Sequence, residues 1–303
     1  MTSPIFPQFK PLELEDSPVL HERIWNDQPE TSELTFTNLF IWRQRYGFQW
    51  SVYKDWLLIA SVLPGRDPMA LQPLGPASRI EAVRLLLGWL KDEQGAADPR
   101  IERADIKLIS EIPQDGGFIV EPVRGQFDYI YPSGDLINLS GSRYHGKRNP
   151  IARFTQNHVY SYARLEASHI VPCLNLAEAW CAFKRCEDEL SLMDEWDAVK
   201  ESLGRFQALG LVGGVILIEG KVEAFTLGEL LNTQTAVVHV EKANPDIPGL
   251  YAVINREFCK NEWSGVPFIN REQDLGEPGL RKAKLSYHPV RFVEKFTIRN
   301  AGR

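Results

Sequence analysis

The chain is poor in the residues that build metal and redox centres. It has four cysteines in 303 residues, Cys173, Cys181, Cys186 and Cys259. The spacings of eight and five among the first three match no zinc or thiol-redox motif, so buried reduced thiols are expected. The six histidines, at positions 21, 145, 158, 169, 239 and 288, are scattered, and none forms an HExxH pair, so no metal is expected. Long apolar runs are missing too. LVGGVILI and DWLLIASVL fall short of the ~20 residues of a membrane helix, and MTSPIFPQFK lacks the apolar core of a signal peptide. A soluble cytoplasmic protein is the expectation. There is no basic excess: the formal charge is −6, which argues against DNA while leaving a local basic patch open. No GxGxxG or Walker A pattern occurs.

What is present is ordinary globular composition, 44% hydrophobic and 24% charged. The length suggests two domains. The Pro- and Gly-containing piece around Tyr131 to Gly134 marks a join, giving 1–134 and 135–303. Ser17 to Gln28 reads as a helix opened by a Ser-Pro pair. FKPLELED and PMALQPLG read as strands, and Thr37 to Tyr46 as an aromatic helix. FQWSVYKDWLLIASVL reads as a hairpin turning at Lys54-Asp55, and Ser78 to Gln94 as an amphipathic helix with Ile80, Val83, Leu87 and Leu90 on one face. DIKLISEI and FIVEPVRGQFDYIYP follow as strands.

In the second half, SYARLE is a strand, and Leu176 to Glu189 and Leu192 to Ala208 are helices. A hairpin turns over Glu219-Gly220. Strand TAVVHVEKA, helix Gly249 to Asn261, strand PFINREQD, helix Pro278 to Leu285 and strand RFVEKFTIRN complete the chain. The last strands carry ionisable groups where a core strand is usually apolar. Alternation groups Val237, His239 and Glu241 on one face, and Asn270, Glu272 and Asp274 on another. Charges are costly to bury unless paired, so these strands hold either a polar site or a network of buried pairs.

The strings TNLFIWRQRYG, SRYHGKRNPIARF, VHVEKAN with YAVINREF, and INREQDLGEPGLRKAKLSYHP together resemble a bacterial family of unassigned function. That family is related to the C-terminal domain of phosphatidylglycerol lysyltransferase and, more distantly, to Fem-type aminoacyltransferases. The resemblance runs from about Thr35 to Tyr287. It implies an α+β fold of two tandem GNAT-like (acyl-CoA N-acyltransferase) domains, each a mixed sheet flanked by helices. It also implies transfer of an acyl or aminoacyl group to an amine or hydroxyl, from aminoacyl-tRNA or acyl-CoA. Where acyl-CoA enzymes of this kind carry a glycine-rich pyrophosphate turn, this chain has Asn244-Pro245-Asp246-Ile247-Pro248-Gly249. Proline lacks an N–H and aspartate repels phosphate, which favours a tRNA-borne or atypical donor. The membrane-spanning half of the lysyltransferase is not in this sequence, so a small-molecule or peptide amine acceptor is expected over a lipid.

Acyl transfer needs a base, a donor for the carbonyl oxygen, and positioning. His239 is the candidate base, with Glu241 beside the nucleophile. Glu229 follows a glycine and is a site-edge carboxylate. Asn255 and Arg256 lie on the helix after the loop, Arg256 as a candidate clamp for a phosphate or carboxylate. Asn270, Glu272 and Asp274 are candidates for an ammonium. His145, Lys147 and Arg148 belong to the one concentrated basic patch and are candidates for a donor phosphate. The rival reading is a non-catalytic small-ligand-binding protein on a degenerate acyltransferase fold.

Overall fold

The computed structural model describes residues 3–113, 117–186 and 190–301. The chain forms two compact units. The first comprises Met1–Asp128, Gln273–Glu277 and Phe292–Arg303, and the second Tyr129–Glu272 and Pro278–Arg291.

The first unit begins with β1 (Lys10–Pro11), α1 (Ser17–Asp27), α2 (Phe36–Ile41) and α3 (Arg43–Tyr46). Then come β2 (Phe48–Tyr53), β3 (Trp56–Ser61), β4 (Met69–Leu71), α4 (Ile80–Asp92), β5 (Arg100–Ala104), α5 (Ile106–Ile109) and β6 (Phe118–Pro122). Most expected elements are found, with instructive exceptions. FKPLELED gives only the two-residue β1, because the side chains of Glu13 and Asp16 cap a short 3-10 turn. The aromatic helix divides at Trp42 into α2 and α3. DIKLISEI, expected as a strand, is the helix α5: the Asp105 carboxylate accepts the Leu108 N–H at 2.8 Å and caps it.

Among the described residues the first sheet has seven strands in the order β1-β2-β3-β4-β5-β14-β6, where β14 is Phe296–Asn300 near the C-terminus. The apolar stripe of α4, with Ala82, Val83, Leu86, Leu87 and Leu90, packs with Leu58, Ala60, Ile101 and Ile298 of the strands. Each buried Val, Leu or Ile of this set contributes about 1.5–3 kcal/mol of burial free energy. β4 and β5 run parallel.

The second unit takes up β7 (Asp128–Pro132), α6 (Ser133–Asn138), α7 (His145–Asn157), β8 (Tyr160–Arg164), α8 (Ile170–Lys184) and α9 (Leu190–Gly204). It continues with β9 (Val212–Ile218), β10 (Lys221–Asn232), β11 (Thr235–Ala243), α10 (Leu250–Glu262), β12 (Phe268–Asn270), α11 (Pro278–Leu285) and β13 (Arg291–Val293). The sheet order is β13-β7-β12-β11-β10-β9-β8, with β11 and β12 parallel. The end of the helix expected over Leu176 to Glu189 falls outside the described residues. α8 closes at Arg185, whose left-handed φ of 53° turns the chain back. That turn brings the Cys181 and Cys186 Cα atoms to 5.2 Å, and the two form a disulfide. The expectation of reduced thiols therefore holds only for Cys173 and Cys259, which are free and buried.

Sheet alternation separates the helices on β10 and β11. Lys242, paired with Phe225, lays its ammonium over Trp180 of α8. Gly228, three residues from Phe225, points the other way, where a Cβ would lie 3.4 Å from Phe258 of α10. Among the described residues no helix is long and apolar enough to cross a membrane.

Candidate functional site

Strand β12 is shorter than the sequence suggests, and this decides where its polar residues go. PFINREQD was expected to continue as a strand through Asp274, but the regular strand ends at Asn270, and Arg271 and Glu272 both bond the backbone of Tyr129. The Asn270 side chain accepts the Glu272 N–H at 2.7 Å, and Glu272 adopts a φ of 55°. Such a local side-chain turn ends the two-residue alternation. Asn270, Glu272 and Asp274 therefore do not form one carboxylate face. Asn270 is buried at the turn. Glu272 turns to His239. Asp274 belongs to the first unit, where it accepts from Arg124 at 3.3 Å and from the Gly276 amide at 2.8 Å.

A second irregularity lies on β11. Leu227 pairs with Val240 and Gly228 with Val238, so His239 has no partner across the ladder and sits in a bulge. Gly228 makes this possible, since a Cβ there would lie 2.4 Å from the Val237 carbonyl oxygen. His239 and Glu241 then take different partners. Nδ1 of His239 donates to Glu272 at 2.8 Å and Nε2 donates to Glu229 at 2.9 Å, with the imidazole 2% exposed. Burial alone would lower its pKa, but the hydrogen bonds to Glu229 and Glu272 outweigh that and raise it to about 10. His239 is thus an imidazolium clamped by two carboxylates. Both ring nitrogens, expected to serve a general base, are engaged by carboxylates in this structure. The buried-pair alternative is the arrangement found at this residue.

Glu241 lies in a separate cluster that contains Arg271. One carboxylate oxygen accepts from Arg271 Nη2 at 3.0 Å, the other from Asn255 Nδ2 of α10 at 3.2 Å. The carboxylate fixes the orientation of the Asn255 amide. Two polar atoms there are buried with no hydrogen-bond partner among the described residues, Asn255 Oδ1 and Arg271 Nη1. Arg271 is held in the charged state against burial by Glu241. Its guanidinium carbon stands 4.9 Å from the Tyr287 ring centre, and Lys147 Nζ of α7 stands 3.9 Å from the same centre. Burial lowers the Lys147 pKa to about 8, helped by the Arg271 charge and opposed by Glu241. Burial lifts the Tyr287 hydroxyl to about 12.

The other expected residues lie apart from this cluster. Arg148 donates to the carbonyl of Leu139 and, at 2.6 Å, to that of Gly141, so it closes the end of α6. His145 is exposed and meets Asn149 at 3.5 Å. Of the basic trio only Lys147 reaches the Arg271 cluster. Arg256 pairs with its neighbour Glu257 at 2.7 Å. Ahead of α10, Asn244 accepts the Asp246 amide on its side chain at 3.0 Å and the Ile247 amide on its carbonyl at 3.3 Å. Those loop amides are engaged locally. Arg271 and Tyr287 were not singled out from sequence, since strict alternation turns Arg271 to the opposite face. The signal that could have found Arg271 is the Asn270-Arg271-Glu272 turn.

Comparison with known proteins places this architecture. A conserved protein of unknown function from Bacteroides thetaiotaomicron is 34% identical, with a TM-score of 0.89 over 96% of this chain and 99% of that one. The C-terminal domain of a putative lysylphosphatidylglycerol synthetase from Agrobacterium fabrum superposes with a TM-score of 0.67 at 12% identity, over 95% and 92% of the chains. L-PGS from Bacillus licheniformis gives 0.61 at 14%, over 88% and 91%. No curated protein matches the sequence. The fold is therefore the expected pair of GNAT-like α+β domains. Within that class the chain belongs to the family described as phosphatidylglycerol lysyltransferase, C-terminal, whose profile matches residues 27–299.

Proposed function

We propose that the chain transfers an aminoacyl group from an aminoacyl ester, of the kind carried by tRNA, to an amine or hydroxyl acceptor, and that the site is the Arg271–Glu241–Asn255 cluster. One observation carries this reading. Glu241 uses both oxygens to hold Arg271 and Asn255, and each of those side chains keeps one buried polar atom with no partner among the described residues. The free donor is Arg271 Nη1 and the free acceptor is Asn255 Oδ1. Leaving such atoms unmet costs about 1–3 kcal/mol each. A ligand that satisfies both offers a carbonyl oxygen beside an amino group, which is the chemistry of an α-aminoacyl unit. A plain acyl group has nothing to donate to Asn255 Oδ1.

In this reading Arg271 Nη1 bonds the carbonyl oxygen and tightens as negative charge develops there. Asn255 Oδ1 receives the ammonium. The engaged amides of the Asn244–Gly249 loop fit a donor without a pyrophosphate better than acyl-CoA. The family's description names a lysyl donor group and a phosphatidylglycerol acceptor, so both belong in the test.

The full chain is incubated with tRNAs charged with labelled amino acids and with labelled acyl-CoAs, each against free amines, peptides and phosphatidylglycerol vesicles. Labelled product from at least one aminoacyl-tRNA, reduced ten-fold or more by Asn255→Leu, is expected. Turnover of acyl-CoA alone refutes the aminoacyl assignment. Saturable binding of a free amino acid with no turnover of any donor supports the alternative, a small-ligand-binding protein.

A further inference from the structure

With His239 held as a cation, the cluster needs another group to receive the proton that an attacking amine or hydroxyl must lose. The groups around the Tyr287 ring can be taken in turn. Glu241 has both oxygens occupied, by Arg271 and Asn255. Tyr131, whose ring centre stands 6.4 Å from that of Tyr287, keeps its proton because burial raises its pKa, and Tyr287 and Cys259 keep theirs, since burial lifts both to about 12. Arg271 stays charged beside Glu241. Lys147 remains.

Lys147 is half-buried in the first turn of α7, where the helix dipole disfavours a cation. No carboxylate of a described residue lies within ion-pair distance of it. The groups facing it are Tyr287 after α11, Arg271 after β12 and Glu241 of β11, with Cys259 of α10 near Arg271. On its own helix, Arg148 turns away to carbonyls and His145 to Asn149. A lysine in this setting gives up its charge readily.

We propose that Lys147 is the proton acceptor of the transfer, an assignment that rests on the function proposed above. The neutral ε-amine takes a proton from the acceptor as its nitrogen or oxygen bonds to the acyl carbon. The ester C–O bond then breaks, and the resulting ammonium returns the proton to the leaving ribose hydroxyl. Charge and protons balance over the cycle, and no covalent enzyme intermediate forms. Lys147 needs no salt-bridge partner for this, and a strong one would defeat it by holding the ammonium.

The test separates this assignment from the function itself. Lysines of the full chain are reductively methylated with 13C-formaldehyde, and the Lys147 signal, assigned by its loss in Lys147→Gln, is titrated by NMR. A midpoint near 8 is expected from the burial and the Arg271 charge, moving up in Arg271→Gln. With a donor found active above, kcat/KM should rise with pH to a plateau through the same midpoint. Lys147→Gln and Lys147→Arg should each lose roughly 100-fold and lose that limb, with circular dichroism showing both folded. A midpoint at the ordinary lysine value overturns the proposal whatever the activity. So does a midpoint near 8 with Lys147→Gln as fast as the wild type. If the wild type turns over no donor, the transfer reading falls and this assignment with it.

Discussion

Replacing His239 with alanine isolates the electrostatics of the clamp. The imidazolium donates to Glu229 at 2.9 Å and to Glu272 at 2.8 Å, and Glu229 is itself buried. Removing the cation leaves a buried carboxylate unpaired, a change that typically costs about 3–5 kcal/mol. The effect has a pH signature. A histidine whose pKa is raised in the folded state adds stability that is full below its unfolded value, near 6.5, and is lost as pH climbs through its folded value, about 10. Each tenfold change in proton affinity is worth about 1.4 kcal/mol, so the wild type should lose about 2.5 kcal/mol relative to His239→Ala between about pH 7 and about pH 9. The difference between the two proteins is the quantity to use. Lys147, with a lowered pKa, contributes in the opposite sense above its folded value of about 8, and it is common to both. Urea unfolding followed by circular dichroism at several pH values measures the gap. A cost below about 1 kcal/mol, with a gap that does not narrow as pH rises, would refute the clamped imidazolium. Glu229→Gln in the His239→Ala background should recover part of the loss, because the more deeply buried of the two carboxylates is then gone.

Other perturbations follow from single sites. Gly249 has a φ of 90°, and a Cβ there would meet the Pro150 carbonyl oxygen at 2.6 Å; Gly249→Ala should cost about 1–3 kcal/mol in urea unfolding. Lys295 is fully buried between Asp128 and Glu33, both at 2.6 Å. Lys295→Met should destabilise by about 3–5 kcal/mol, and a thermal melt unchanged from wild type would contradict that. The denatured, unreduced protein should show free thiols only at Cys173 and Cys259, with Cys181 and Cys186 appearing after reduction; a thiol-reagent count with mass mapping checks it.

Much of the element order is visible in the sequence because local rules govern it. The Lys54-Asp55 and Glu219-Gly220 turns, the α4 stripe and the Pro278–Leu285 helix all appear where periodicity and turn residues put them. The misses share a cause. Asp105 reads as part of a strand until its carboxylate finds the Leu108 amide, and Asn270 reads likewise until it finds that of Glu272. A short polar side chain can choose its own backbone over the ladder, and residue type alone does not announce the choice. The closing strand shows a larger effect: RFVEKFTIRN divides between β13 in one sheet and β14 in the other.

The candidate site divides the same way. Sequence alone determined that polar groups would stand on the last strands of the second half, since no apolar residues are there to take those positions. It also marked Glu241, Asn255 and Lys147 as members of the polar set. Only the tertiary structure decided their partners. The bulge at His239 and the turn after Asn270 shift the side-chain count by one residue on each strand. Those shifts send His239 to two carboxylates and Arg271 to Glu241, because a face along a strand lasts only as long as regular pairing does.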